Sequence, residues 1–279
     1  MHLRDSPIIS RIANLDYNKI FLLGGPDSGK TTFAVALASE ISKSEPVSLI
    51  DTDIGQSTIG PPTTLASINV KKGEGKFWES EADSYYFAGD ITPVKFMLPV
   101  LAGSCKLSGQ SQTKQIIDSS GLISYPFGTI LKYQKLMAIR PDLVIAFQRG
   151  KELEELLSTV DNFVQIKRLA VSKDLPKRTP AQRAGIRKKK FAVYFKGSSS
   201  RNLDLTQLSV YPSRLKLGID YLDLTVGLIG SKDTLGIGVI KEINGAKIKV
   251  ATPVTENIKG IIIGNLKINE SGEQLGRLR

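Results

Sequence analysis

Cysteine and histidine are nearly missing from this chain. Its 279 residues include one cysteine, Cys105, and one histidine, His2. A disulfide framework and a four-cysteine zinc site are therefore excluded. A single imidazole also leaves no means of building a His-rich metal centre, and a histidine-based triad would have to use the residue beside the start methionine. No apolar run approaches the roughly 20 residues that span a bilayer. The opening residues, MHLRDSPIIS, hold no signal-peptide apolar stretch. These absences lead to the expectation of a soluble, intracellular, cytoplasmic protein (nuclear in a eukaryote) with no membrane partner. No Asn-Lys-x-Asp motif occurs, so guanine-specific GTPase chemistry has no support.

What is present is ordinary in bulk and unusual in placement. Hydrophobic residues make up 41% and charged residues 23%, enough apolar content for a packed core. The length suits two domains at about 150 residues each. The net charge is +11. Residues 167–196 hold eleven of the 38 Lys and Arg and one acid, Asp174, so this segment carries +10 and the rest is close to neutral. Such a localised charge implies a polyanionic partner: nucleic acid, a nucleotide or an acidic membrane face. Lipid docking is the weaker option, because the segment has no face of large apolar residues.

The apolar pattern alternates between strand and helix. Ile20–Leu23 reads as a buried strand entering a glycine turn, 31–42 as a helix, and Val47–Ile50 as the next strand ending at Asp51. That is a βαβ unit. Strands are expected at 85–89, 115–118, 143–147 and 163–171. Helices are expected at 95–107, 128–139 and 151–158, with a basic helix at 181–190. A mostly parallel sheet flanked by helices follows, an α/β architecture, and the G-x-x-x-x-G-K-T run at 24–31 between the first strand and the first helix makes it a P-loop NTPase. From about residue 205 short β-rich runs replace the alternation, and Asn244-Gly245 marks a hairpin. A small all-β C-terminal domain, barrel or sandwich, is expected. The resulting division is a leader at 1–18, a P-loop domain at 19–200 with its basic segment at 167–196, and a β-rich domain at 205–279.

Gly24-Gly25-Pro26-Asp27-Ser28-Gly29-Lys30-Thr31 matches G-x-x-x-x-G-K-[ST] without a gap. Glycines let backbone N–H groups turn inward around phosphates, and the following helix adds its positive N-terminal end. The nucleotide-binding set is Gly25, Pro26, Asp27, Ser28, Gly29, Lys30, Thr31 and Thr32, with Lys30 on the β- and γ-phosphates and Thr31 able to ligate Mg²⁺ or another divalent cation. Asp51 and Asp53 leave the second strand two residues apart. One can orient the metal through water while the other accepts a proton; the bland alternative is a turn that uses Asp for local hydrogen bonds. Asp118 ends another strand, either as a metal helper or as a turn residue. Arg183 and Arg187, spaced i and i+4, can clamp a transferring phosphoryl group. Lys188-Lys189-Lys190 reads as a solvated or RNA-facing cluster. Cys105, Trp78 and the Tyr85-Tyr86 pair read as packing residues rather than as a nucleophile or base-stacking platforms.

Taken together, Gly-Pro-Asp-Ser-Gly-Lys-Thr at 25–31, Asp-x-Asp-x-Gly-Gln at 51–56 with Pro61-Pro62 just after it, and Arg-x-x-x-Arg at 183–187 resemble the polyribonucleotide 5′-hydroxyl kinase family. These are the P-loop RNA kinases related to the pre-mRNA cleavage and pre-rRNA processing kinases, and the resemblance runs along residues 20–195. It implies ATP-dependent phosphorylation of an RNA or DNA 5′-hydroxyl, and partners among RNA-processing proteins. By this resemblance Lys30 holds phosphate, Thr31 and Asp51 serve the metal, and Asp53 is the general base. Gln56 lies near the substrate phosphate, and Arg183 and Arg187 form a mobile lid. The family's Thr-x-Gly clasp aligns with Ser119-Ser120-Gly121, so Ser119 and Gly121 are substrate-binding candidates. Leu122 stands where some members carry tryptophan, and 18 residues are too few for the β-domain that larger members carry ahead of the kinase domain. Two other functions remain open: an ATP-binding scaffold without transfer, and an ATPase switch acting on a protein partner.

Overall fold

The structure is a computed structural model that describes residues 7–74, 77, 80–172, 175–213 and 219–278. Trp78, the first six residues of the leader, and Lys173 and Asp174 of the basic segment lie outside the described residues. The elements in chain order begin α1 (Pro7–Ala13), β1 (Lys19–Gly24), α2 (Lys30–Ile41), β2 (Val47–Thr52), β3 (Thr64–Val70), β4 (Ser84–Phe87) and α3 (Met97–Gln110). They continue β5 (Lys114–Ser119), α4 (Phe127–Ile139), β6 (Leu143–Gln148), α5 (Glu154–Leu157), β7 (Gln165–Ala170) and α6 (Pro180–Tyr194). Last come β8 (Ser199–Asp204), β9 (Ser209–Tyr211), β10 (Leu224–Ile229), β11 (Thr234–Asn244), β12 (Lys247–Thr252), β13 (Gly260–Ile268) and β14 (Gln274–Arg277).

Five strands form the parallel centre, in the order β2-β5-β1-β6-β7. Beyond its first residue β1 is buried throughout, as is all of β2, as parallel strands covered on both faces require. One apolar layer joins α1 and α2 to the sheet through Ile9, Ile12, Phe33, Leu37 and Ile116. The opposite layer holds α3, α4 and α5 through Val100, Leu107, Leu131, Leu136 and Leu157. The leader therefore contributes a packed helix, α1, with Ile9 and Ile12 turned inward.

The sheet differs from the expected pattern on one side. β3, which the apolar pattern does not announce, pairs antiparallel with β2, and β4 pairs antiparallel with β3. Thr64–Val70 reads TLASINV, a run diluted by Ser and Asn, and it follows the two prolines at 61–62. Tyr85 and Tyr86 pack as expected, against opposite apolar layers, and Cys105 packs from α3.

The β-rich part begins at Ser199, ahead of residue 205. Its strands run β8-β12-β11-β10-β13-β14, with β9 added to β13. Among the described residues no pairing of β8 with β14 closes this set into a barrel. Instead Thr234 of β11 pairs with Tyr85 of β4, so one continuous sheet links both halves. The exposed edge of β4 is thereby covered. A further apolar cluster of Phe87, Phe191, Ile237, Val239, Leu266 and Ile268 fastens α6 to this junction.

Candidate active site

The loop between β1 and α2 is shaped by its own residues. Gly29 has φ 88°, left-handed backbone that favours glycine, and it begins α2. Lys30 is buried at 6% exposure. Its Nζ donates to Gly25 O at 2.8 Å and Ser28 Oγ at 3.3 Å, and Ser28 Oγ donates to the same carbonyl at 2.9 Å. Burial lowers the Lys30 pKa, while Asp118, Asp53 and Asp27 pull it back up. Pro26 in the loop and Thr31 and Thr32 in the first turn of α2 are exposed.

Thr31 Oγ1 donates to Asp118 Oδ2 at 2.5 Å. Asp118 sits at the end of β5, directly across from Asp51 in register. Its other oxygen, Oδ1, is buried with no hydrogen-bond partner among the described residues. Burial raises the Asp118 pKa, against the pull of Lys30 and the Thr31 hydroxyl. A hydroxyl beside a carboxylate with an idle oxygen is the donor set expected of a cation held mainly by nucleotide phosphates. Among the described residues no group of three or more His, Cys, Asp or Glu side chains could hold a metal by itself.

Asp51, expected at the metal, is occupied elsewhere. Its Oδ1 accepts the Asp53 amide at 2.9 Å, and its Oδ2 accepts the Thr58 amide and the Ile59 amide, the latter at 3.1 Å. Burial and the neighbouring Asp118 and Asp53 carboxylates push its pKa up to about 7. Asp51 thus organises the 53–59 loop, and it is Asp118 that stands with Thr31. Asp53 accepts the Gly55 and Gln56 amides through Oδ1, at 2.9 and 3.0 Å. Its Oδ2 makes no hydrogen bond among the described residues. Gln56 donates to Gly55 O at 2.7 Å and to Arg183 O at 3.5 Å, and its Oε1 is buried without a donor among the described residues.

α6 lies across this cleft. Thr179 caps it with a reciprocal Thr179–Gln182 box, and Pro180 occupies the first turn. Arg183 Nη2 reaches Asp27 Oδ2 at 2.7 Å, and the Arg178 amide reaches the same oxygen at 3.0 Å. Burial would raise the Asp27 pKa, but these Arg178 and Arg183 contacts hold it below the usual carboxylate range. Arg187, one turn on, does not join Arg183 on the loop. It donates to Gln274 Oε1 of β14 at 3.3 Å. Lys190 is inward too, donating to Thr58 O at 2.8 Å, whereas Lys188 meets Glu273 and Lys189 is exposed. The basic run is thus partly structural.

The aligned clasp also divides. Ser119 is 2% exposed, and its hydroxyl donates to Leu22 O of β1 at 2.7 Å. It is built into the sheet and does not face the cleft. Gly121 faces the P-loop so closely that an added Cβ would lie 2.6 Å from Pro26 Cα.

Three contributors went unread in the sequence. Lys132 and Lys135 of α4 are fully buried. Lys132 Nζ donates to Ser120 O at 2.6 Å, and Lys135 Nζ donates to Thr52 Oγ1 at 2.9 Å. Burial drives the Lys132 pKa well down and brings Lys135 to about 7, even with Asp53 and Asp51 pulling the latter up. Arg149, after β6, donates through Nη2 to Asp27 O at 2.9 Å. The lysines could have been noticed, since 128, 131, 132, 135, 136 and 139 form one helical stripe that α4 buries whole.

The family model described as mRNA cleavage and polyadenylation factor CLP1 P-loop matches residues 24–197. A polyribonucleotide 5′-hydroxyl-kinase of Methanocaldococcus jannaschii is 27% identical, over 93% of this chain and 90% of that protein. A polyribonucleotide 5′-hydroxyl-kinase of Pyrococcus furiosus is 29% identical, over 94% of this chain and 90% of that protein. Among solved structures, Clp1p in a wild-type Clp1p–Pcf11p complex superposes with a TM-score of 0.67 at 11% identity, covering 93% of this chain and 77% of that one. That likeness is one of fold.

Proposed function

The chain belongs to the CLP1 P-loop family, and we propose that it is an ATP-dependent polynucleotide kinase that transfers the γ-phosphate to the 5′-hydroxyl of RNA. The names of its archaeal relatives support the RNA acceptor. The observation that carries the reading is the grouping of Asp53 with the phosphate loop and the Thr31–Asp118 pair. Asp53 follows β2 two residues after Asp51, which accepts its amide at 2.9 Å and pairs in register with Asp118 of β5.

In this reading the loop amides and Lys30 hold the nucleotide phosphates. Thr31 and Asp118 would hold a divalent cation such as Mg²⁺, whose chemistry there would be to neutralise charge on the phosphates. Asp53 accepts the 5′-hydroxyl proton as that oxygen bonds to the γ-phosphorus. The bond from the γ-phosphorus to the β–γ bridging oxygen breaks, and ADP leaves. Asp51 keeps Asp53 in place by holding the backbone of its loop. Arg183 covers the phosphate cradle, adding positive charge and shielding it from water. An RNA-processing protein partner is also proposed; the likeness to Clp1p solved with Pcf11p supports it.

Asp53→Asn tests the mechanism. It should abolish transfer to a 5′-hydroxyl oligonucleotide while leaving ATP affinity close to wild type. Near-normal turnover would remove Asp53 as the base.

A further inference from the structure

Among the described residues three lysines are buried, Lys30, Lys132 and Lys135, and all three are bonded at the ends of the central strands. Lys30 Nζ reaches Gly25 O, just past β1, at 2.8 Å. Lys132 Nζ reaches Ser120 O, just past β5, at 2.6 Å, and Lys135 Nζ reaches the hydroxyl of Thr52, the last residue of β2, at 2.9 Å. Phosphate binding accounts for Lys30. It does not account for the pair on α4, whose side chains have no solvent exposure. Burying an amino group is expensive. A methionine of similar length would fill the same space without that cost, so packing alone gives no reason for lysine at either position.

Thr52 shows what Lys135 does. The Thr52 hydroxyl is buried, donates to Asp118 O of β5 at 2.9 Å and accepts from Lys135 Nζ. A hydroxyl has one proton to give. With Lys135 donating to it, that proton is committed to Asp118, and the hydroxyl has one orientation. The bond crosses from β2 to β5 where their backbone pairing ends, with Thr52 opposite Ser119. Asp53 is the next residue after Thr52, beyond the last paired position of β2. Asp118 carries the carboxylate that accepts from Thr31. The chain from Lys135 through Thr52 to Asp118 is therefore a tie between the strand that delivers Asp53 and the strand that delivers the partner of Thr31. Its anchor is α4, which packs into the apolar layer under the sheet through Leu131, Leu136 and Ile139.

Resting on the kinase reading, we propose that Lys135 is a positioning residue for phosphoryl transfer, acting through the Thr52 hydroxyl to hold the ends of β2 and β5 together and so to fix Asp53 relative to the Thr31–Asp118 pair. Lys135 touches neither nucleotide nor acceptor in this role. Its loss lets the two strand ends separate, and the base then stands at the wrong distance from the phosphate it serves. A misplacement of about 1 Å caused from a distance costs on the order of 10²-fold in rate.

The test is a double-mutant cycle on the full chain, with γ-labelled ATP and a 5′-hydroxyl RNA. Lys135→Met, Thr52→Val, the two combined and Thr52→Ser are compared with wild type, and thermal unfolding checks that each folds. Lys135→Met and Thr52→Val should each lower kcat on the order of 10²-fold, with ATP affinity by calorimetric titration close to wild type. The combined variant should be no slower than either single one, because both remove the same tie. Thr52→Ser keeps the hydroxyl and should recover most of the rate lost in Thr52→Val. A folded Lys135→Met with wild-type kcat would overturn the proposal, and so would losses that multiply in the combined variant. An equal loss of ATP affinity would also overturn it, by making Lys135 a support of the phosphate loop. If Lys135→Met does not fold, Thr52→Val against Thr52→Ser decides: equal rates sink the tie, and a slow valine variant beside an active serine one upholds it. If wild type labels no 5′-hydroxyl RNA, the kinase reading fails and this inference falls with it, and the wild-type reaction alone reports that.

Discussion

Gly121 offers the clearest test of how the β5–α4 connection supports the phosphate loop. An added Cβ would lie 2.6 Å from Pro26 Cα, 2.7 Å from Pro26 N and 3.0 Å from Pro26 Cβ. Carbon atoms pack at about 3.5–4.0 Å, so Gly121→Ala forces the two backbones apart by roughly 1 Å. Overpacking of this kind costs about 1–3 kcal/mol of stability. The functional effect is larger, because the displaced atoms belong to the cradle itself. Losing one charge-assisted hydrogen bond to phosphate costs about 1.5–3 kcal/mol, so ATP affinity should fall roughly 10- to 100-fold. Calorimetric titration with ATP and thermal unfolding would read both. Gly109→Ala is the control: its Cβ would meet nothing within 4 Å on α3, and it should be neutral or add about 0.5–1 kcal/mol. Unchanged ATP affinity and stability in Gly121→Ala would refute the claim that Gly121 sets the loop's position.

Three other outcomes are expected. Arg183→Ala should cut kcat on the order of 10³-fold, as loss of an arginine finger does; a change confined to KM would make Arg183 a binding residue only. Asp27→Ala removes the acceptor shared by the Arg178 amide and the Arg183 guanidinium, so protease cleavage ahead of α6 should quicken in the nucleotide-free protein; unchanged cleavage would contradict a role for Asp27 in holding α6 against the phosphate loop. Lys135 falls from 10.5 unfolded to about 7 folded. The unfolded chain therefore binds more protons between these values, and stability should rise with pH across that window, with the full penalty present below pH 7. In Lys135→Met that rise should shrink, as read by denaturant unfolding at pH 7 and 9.5. An identical slope in both proteins would mean that Lys135 is not the buried base described.

The nucleotide half was legible where local rules act alone. Ile20–Leu23, the glycine loop and the helix after it are specified by neighbours in sequence, and the structure follows them closely. β3 escaped notice because Ser67 and Asn69 interrupt its apolar residues, and burial between β2 and β4 is a tertiary fact. The two aspartates of 51–56 were visible as a pair, but their division of labour was not. Only the fold shows that Asp51 spends its oxygens on amides at 53, 58 and 59, leaving Asp118 beside Thr31. The contacts of Arg187 and Arg277 were further from reach. Arg277 meets Asp90 across 187 residues, and Arg187 meets Gln274 across 87. No spacing rule spans such separations. The buried lysines lie between these cases: their stripe on α4 was readable, but charge at such positions invites the assumption of a solvated face.

The central claim is transfer of phosphate to a 5′-hydroxyl end, and one experiment tests it most directly. The full chain is incubated with γ-labelled ATP, Mg²⁺ and a short single-stranded RNA bearing either a 5′-hydroxyl or a 5′-phosphate. Label on the 5′-hydroxyl RNA alone is the predicted result. ATP bound with no label on either RNA would contradict it and point to a nucleotide-binding scaffold.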